Sequence, residues 1–299
     1  MTNIPERHLS PAGLSLSPAM EDYIKTVFLL GRDQEAVSTQ ALADRMQVAP
    51  ASVTRMLKRL AECQLVAYEP YRGVRLSETG RKVALEILRH HRLLELYLTQ
   101  ALGYSWDEVH EEAELLEHFI SEKLEARIAQ ALGNPSFDPH GSPIPTLEGE
   151  LPESPDLTLA LQELYRPHEV TRVRDSDPEM LREMAALGLF PGVTVAVLGR
   201  PPLGSCHLRI GRVENLVPPR LCECVRTRPS EELCITADQM LPGEEGEVLQ
   251  VRGAGRGRLE GLERGTPLQR TEAGYSSGGG DLDLPLEKAR FLIVSVASR

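Results

Sequence analysis

The chain has 299 residues, 41% hydrophobic and 26% charged, the composition of a globular protein with enough length for two or three separate cores. Its net charge of −11 excludes a uniformly basic nucleic-acid-coating protein, and there is no apolar run long enough to span a membrane. The N-terminus is polar and the five cysteines form no secreted-type framework, so a reducing, cytoplasmic setting is expected.

Residues 1–17 read as a flexible extension. Ser17 followed by Pro18 marks a helix start, because the serine can cap and the missing proline N–H costs nothing there. Ile24, Val27, Phe28 and Leu30 give this helix a buried face. A second helix fits 39–46 behind Ser38. Val48-Ala49-Pro50 breaks it, and a third follows over 51–63 with Val53, Met56, Leu57 and Leu60 inward. Leu65-Val66-Ala67-Tyr68 and Val74-Arg75-Leu76 flank Glu69-Pro70-Tyr71-Arg72-Gly73 as a β-hairpin.

Helix, turn, helix and hairpin form a winged-helix pattern over 18–84. Residues 45–82 carry eight basic and three acidic side chains, a local net of +5. Ser38, Ala51, Ser52, Thr54, Arg55 and Lys58 are the candidates to meet double-stranded DNA in the major groove, and Arg72 at the wing tip would meet phosphate or the minor groove. The same pattern also occurs in small α+β folds that bind no DNA.

A long helix is expected over 77–102, carrying His90, His91 and Glu95, with His90 at the surface. Another is expected over 105–132, with Val109, Ala113, Leu116, Ile120 and Leu124 as its apolar stripe. Beside the stripe run His110, Glu114, Glu117 and His118, spaced i, i+4, i+7, i+8 and so on one side of a helix. Residues 104–125 hold eight acidic side chains against one lysine. Half-buried carboxylates and imidazoles need partners, and a cation is one, although an acidic helix is often simply solvated.

Residues 133–157, rich in Pro and Gly, read as a linker or wrapped loop. From 167 to 226 the apolar positions alternate in period two around a short helix over 178–187, as in a small β-barrel. Residues 230–299 look like its repeat. Glu169-Val170-Thr171-Arg172-Val173-Arg174 matches Glu247-Val248-Leu249-Gln250-Val251-Arg252 at an offset of 78, and Leu181-Arg182-Glu183-Met184 matches Leu259-Glu260-Gly261-Leu262. Cys222-x-Cys224, near Cys206 and His207, lacks ordinary zinc spacing and reads as reduced thiols. Gly253-x-Gly255-x-Gly257 lacks the Lys-Ser/Thr of a phosphate loop and reads as a turn. No nucleophile–base arrangement stands at catalytic spacing, so no enzyme is expected.

Several stretches together resemble the diphtheria-toxin-repressor family of metal-dependent regulators. They are Met20-Glu21-Asp22-Tyr23-Ile24, Pro50-Ala51-Ser52-Val53-Thr54, Tyr71-Arg72-Gly73-Val74 and Leu76-Ser77-Glu78-Thr79-Gly80. Glu114-Leu115-Leu116-Glu117-His118, Leu132-Gly133-Asn134-Pro135 and Pro139-His140-Gly141-Ser142-Pro143-Ile144-Pro145 extend the likeness over residues 18–226. The resemblance implies an α+β multidomain chain: a winged helix-turn-helix (18–84), a helical dimerisation and metal-binding domain with its linker (85–157), and one or two small SH3-like β-barrels (158–229 and 230–299). It implies a homodimer that represses metal-uptake genes from a palindromic operator.

Carried over by residue, the main metal site falls on Asp22, Glu114, Glu117 and His118. An ancillary site falls on His91, Glu95 and His110, completed from the first barrel, with Asp177 and Glu179 as candidates. Iron-type members place Met and Cys sulfurs where this chain has Asp22 and Glu114. Three carboxylates and an imidazole favour Mn²⁺, with Fe²⁺ the alternative. Lys25 stands where short manganese regulators carry a glutamate, so their two-metal arrangement does not transfer. A winged-helix regulator of small-molecule response, an activator and a metallohydrolase are the other readings.

Overall fold

The computed structural model describes residues 16–152, 156–201, 205–251 and 262–296. All but the end of the expected N-terminal extension, the Gly253-x-Gly255-x-Gly257 stretch and residues 259–261 of the second repeat lie outside those ranges.

The Ser17 hydroxyl accepts from the Met20 N–H at 3.4 Å and starts α1 (Pro18–Leu30). The Ser38 hydroxyl does the same for Ala41 at 3.0 Å and starts α2 (Thr39–Met46), which ends where Gln47 turns left-handed. Proline opens α3 (Pro50–Glu62). Strands β1 (Val66–Glu69) and β2 (Gly73–Leu76) pair antiparallel, with Val66 opposite Leu76 and Glu69 opposite Gly73. Gly73 has φ +103°, and a Cβ there would lie 2.5 Å from the Val37 carbonyl oxygen, so the wing accepts only glycine at that point. Ile24, Leu42, Val53, Leu57, Leu60 and Val74 form the centre of this core and are fully buried.

Helix α4 (Glu78–Leu102) follows as expected. The single helix expected over 105–132 is instead two, α5 (Val109–Leu116) and α6 (Glu122–Ala131). Ser121 ends the run by capping α6, its hydroxyl accepting from Leu124 N–H at 3.3 Å. The apolar period continues through the break, and for that reason the sequence pattern reads straight across it. Leu116 and Leu124, expected to point inward, are exposed. Glu117 and His118 therefore sit in the turn after α5, off the helix face they were assigned to.

The chain divides into two compact units. One comprises residues up to Leu94 with Ala113–Ser136 and Pro143–Pro152; the other comprises Glu95–Glu112, Phe137–Ser142 and the chain from Glu153 onward. The second unit contains two six-stranded antiparallel sheets. The first sheet is built from β3 (Leu157–Thr158), β4 (Pro167–Val173), β5 (Thr194–Gly199), β6 (Cys206–Ile210), β7 (Val213–Val217) and β8 (Val225–Pro229), in the order β3-β8-β4-β5-β6-β7, with helices α7 (Pro178–Ala186) and α8 (Pro219–Cys224). The second uses β9 (Leu233–Thr236), β10 (Glu245–Val251), β11 (Pro267–Arg270), β12 (Tyr275–Ser277), β13 (Gly280–Leu282) and β14 (Leu292–Val296), with α9 (Leu286–Ala289), in the order β13-β12-β11-β10-β14-β9.

The sequence repeat corresponds to a structural one. Strand β4 pairs with β8 through a bulge between Val170 and Arg172, and β10 pairs with β14 through a bulge between Val248 and Gln250, again 78 residues on. The two sheets also share apolar interior: Cys234 and Ile293 of the second belong to the same buried cluster as Phe190, Val195 and Leu208 of the first.

Candidate metal centre

In the first unit, α1 presents Glu21, Asp22 and Lys25 toward the turn that holds Glu117 and His118. The His118 Nδ1 donates to Glu21 Oε2 at 2.6 Å, and its Nε2 lies 3.0 Å from Asp22 Oδ1 and 3.5 Å from Glu117 Oε1. Ligand-capable atoms of Asp22, Glu117 and His118 all fall within 4.8 Å of one another. Burial works against protonation of His118, but its hydrogen bonds to Asp22 and Glu21 outweigh that and push its pKa up to about 9.

Glu117 is buried and both its oxygens are engaged. Oε1 accepts from Lys25 Nζ at 2.5 Å and Oε2 faces His91 Nδ1 at 2.7 Å. Glu114 joins through the same lysine, at 2.8 Å. His91, expected in the ancillary site with Glu95 and His110, lies against Glu117, expected in the main site; its ring is on the stretch of α4 that packs in the first unit. His90, expected at the surface, is buried and sits 3.0 Å from Glu125.

The second unit contains another group. Glu95, Asp138, His140 and Asp175 offer ligand atoms within 4.8 Å of one another. His110 Nδ1 lies 3.1 Å from Glu95 Oε1. His140 is fully buried, stacked on Trp106 with ring centroids 5.6 Å apart, and its Nε2–H donates to the Trp106 carbonyl at 2.8 Å. This fixes the tautomer and turns the other ring nitrogen inward. The buried Nδ1 has no hydrogen-bond partner within 3.5 Å among the described residues and lies 3.7 Å from Glu95 Oε2. Burial opposes a charge on His140, yet Glu95, Asp138 and Asp175 raise its pKa to about 9.

The loop that carries His140 is rigidly built. Asp138 Oδ1 accepts from the N–H groups of His140 at 2.8 Å and Ser142 at 2.9 Å. Gly141 has φ +84°, and a Cβ there would lie 1.9 Å from the Thr171 carbonyl oxygen. The barrel residues expected to complete the ancillary site are elsewhere: Asp177 caps α7 by accepting from the N–H groups of Glu179 and Met180, and Glu179 is exposed. The barrel carboxylate in the group is Asp175, two residues earlier. The five cysteines are free and buried, burial raises Cys222 far above its ordinary range and Cys234 to about 11, and no cysteine enters a metal-capable group among the described residues.

On α3, Ala51, Arg55 and Lys58 are exposed, and Ser52 and Thr54 are half-buried. The Thr54 hydroxyl donates to the Pro50 carbonyl, and the Ser38 hydroxyl is taken by its cap. Arg72 is exposed at the wing beside Tyr71, which is fully solvated.

Residues 15–74 match the iron-dependent repressor N-terminal DNA-binding domain, residues 77–146 the iron-dependent repressor metal-binding and dimerisation domain, and residues 160–228 the FeoA domain. The chain is 33% identical over 105 residues to the HTH-type transcriptional regulator MntR of Geobacillus kaustophilus, covering 35% of this chain and 74% of that one. The solved structure of a manganese-dependent transcriptional repressor in complex with manganese is 36% identical with a TM-score of 0.67, over 71% of this chain and all of the other. The chain belongs to the iron-dependent repressor family. The iron-dependent repressor IdeR of Mycobacterium leprae is a further relative, 29% identical over 212 residues, 67% of this chain and 91% of that one.

As a member, it is a metal-dependent, DNA-binding transcriptional repressor with an N-terminal winged helix, a helical dimerisation domain and an SH3-like FeoA barrel. Sequence reasoning did not single out Glu21, Asp138, His140 or Asp175 as members of these groups. The one usable signal was the Pro139-His140-Gly141 turn. Asp138 and Asp175 approach Glu95 from separate loops, with no period or spacing to expose them.

Proposed function

We propose that this repressor responds to Mn²⁺, with Fe²⁺ as the second candidate, through a main site of Asp22, Glu114, Glu117 and His118. The observation that carries the reading is His118 held between Asp22 and Glu21 on the first helix of the winged domain while its neighbour Glu117 lies within reach. The donor set is carboxylate and imidazole with no sulfur, which suits a hard divalent ion. A bound cation supplies the charge that offsets these carboxylates. The side chains do the rest: Asp22 fixes the position of α1, His118 and Glu117 fix the turn after α5, and closing the set orders the winged domain for DNA.

Glu95, Asp138, His140 and Asp175 form the proposed second site. The inward Nδ1 of His140 facing the Glu95 carboxylate supports it, since a ring held protonated by Glu95, Asp138 and Asp175 would exchange that proton for a cation. His110 supports Glu95 from outside this set.

Ser38, Ala51, Ser52, Thr54, Arg55, Lys58 and Arg72 form the proposed DNA surface on a palindromic operator. Two copies pair through apolar side chains left exposed around the α5–α6 turn, Leu115, Leu116, Phe119 and Leu124. Ordering both winged domains would match recognition helices to half-sites about 34 Å apart. The domain limits at 84, 157 and 229, a cytoplasmic setting and the lack of catalytic activity belong to this same reading. No helix among the described residues is long and apolar enough to cross a membrane.

Fluorescence anisotropy on operator DNA at fixed salt, with Mn²⁺, Fe²⁺ and Zn²⁺ titrated separately and a chelator control, tests it. Binding should appear with Mn²⁺, vanish with chelator and be lost in His118→Ala and Glu117→Ala. A full metal response in either variant refutes the main-site assignment, and a response to Fe²⁺ alone refutes the metal choice.

A further inference from the structure

We propose that Lys25 is a built-in competitor at the main site: its ammonium holds the carboxylate oxygens of Glu114 and Glu117 that a divalent cation needs, and so sets the metal concentration at which the repressor responds. The inference rests on the main-site reading above.

Lys25 lies one turn after Asp22 on α1, so its side chain enters the same space from the same helix. It is 5% exposed. Its Nζ reaches Glu114 Oε1 at 2.8 Å and Glu117 Oε1 at 2.5 Å. A lysine buried this far keeps its charge only against close carboxylates, and these two are its partners.

The oxygen it holds decides the matter. Glu117 Oε1 is the atom that faces His118 Nε2, 3.5 Å away, within the Asp22, Glu117 and His118 group. The other Glu117 oxygen is engaged by His91. Both oxygens of the central carboxylate are therefore occupied by the protein's own groups. A divalent ion between Asp22, Glu117 and His118 must take Oε1 from the ammonium or share it with a like charge at contact distance. Either way lysine raises the concentration of metal required.

The lysine also accounts for how Glu114 and Glu117 can stand together without metal. The ammonium serves as their counter-ion, and metal binding exchanges one cation for another. The turn after α5 need not spring apart when metal leaves; it changes partners. A positioning role makes the opposite prediction. If Lys25 merely aimed the carboxylates at the ion, its removal would weaken binding.

The experiment is a Mn²⁺ titration of the full chain at fixed pH and salt, with free Mn²⁺ read by electron paramagnetic resonance. Wild type, Lys25→Met and Lys25→Gln are compared, each alone and combined with His118→Ala, so that the isotherm lost on combination is the main site. Lys25→Met should bind Mn²⁺ at that site about ten-fold or more tightly than wild type, because the competing charge-assisted hydrogen bonds are gone. Its melting temperature in chelator should fall, because the carboxylates lose their counter-ion. Lys25→Gln repeats the comparison with a polar side chain should the methionine variant not fold, as judged by circular dichroism. Affinity equal to or below wild type in the folded variant overturns the proposal. A wild-type isotherm that His118→Ala leaves unchanged overturns the main-site reading itself, and the role of the lysine with it.

Discussion

At the proposed main site, His118 is where proton and metal chemistry would meet. Its ordinary pKa of 6.5 rises to about 9 in the fold, so the ring is protonated at neutral pH in the metal-free protein. A group whose pKa is higher folded than unfolded stabilises the fold fully below the unfolded value and loses that contribution as pH climbs through the folded one. The part of metal-free stability owed to His118 should therefore be complete below pH 6.5 and fade toward pH 9. Melting temperatures in chelator, wild type against His118→Gln, isolate it: the gap should be widest at low pH and close toward pH 9, and parallel curves would rule the argument out. A metal ligand must give up its proton, so Mn²⁺ binding near pH 7 should release about one proton at this site. Calorimetric titration in two buffers of different ionisation enthalpy would register it, and heats independent of buffer would mean that His118 is not a ligand.

At the scale of the element, the recognition helix is the part of the protein most legible in its sequence. Ser17, Pro18 and Ser38 announce the first two helix starts by chemistry confined to one turn, while Pro50, read as part of the break, is the first residue of the third. Arg55, exposed on α3, should contact a base edge; Arg55→Ala should lose about 1–3 kcal/mol on the operator. An equal loss on random DNA would make it a phosphate contact instead. Gly73→Ala should destabilise the wing, since its φ of +103° and the Val37 carbonyl leave no room for a Cβ, by about 1 kcal/mol or more in urea unfolding. Where the sequence misleads, the cause is a signal of the wrong range. The apolar period hides the stop at Ser121, so Glu117 and His118 look like a helix row when they occupy a turn. Asp175 and Asp177 are equally good carboxylates in sequence, and the cap that Asp177 gives α7 is visible only once that helix is placed.

At the scale of the molecule, the tandem sheets of the second unit share a core, as a chain of independent modules would not. Ile293 on β14 is fully buried in the cluster that also holds Phe190, Val193 and Val195 of the first sheet, and Phe291 packs 6.1 Å from the Phe190 ring. Polar contacts run alongside: the Thr194 hydroxyl donates to the Glu232 carbonyl and accepts from the Cys234 N–H, and Arg212 forms a two-pronged ion pair with Glu244. A shared core unfolds as a unit, so both sheets should melt in one calorimetric transition. Ile293→Ala should lower that transition by the cost of a large buried side chain, about 2–5 kcal/mol. Two resolved transitions, with only one shifted, would show the sheets to be separate. The consequence reaches Asp175, which follows β4 of the first sheet and faces Glu95, Asp138 and His140. Loosening the second sheet should raise the population in which Asp175 is out of place, and apparent affinity falls in proportion to the competent fraction. Ile293→Ala should accordingly weaken Mn²⁺ binding at the second site while leaving the isotherm abolished by His118→Ala unchanged, which would make the additional sheet a support for metal sensing.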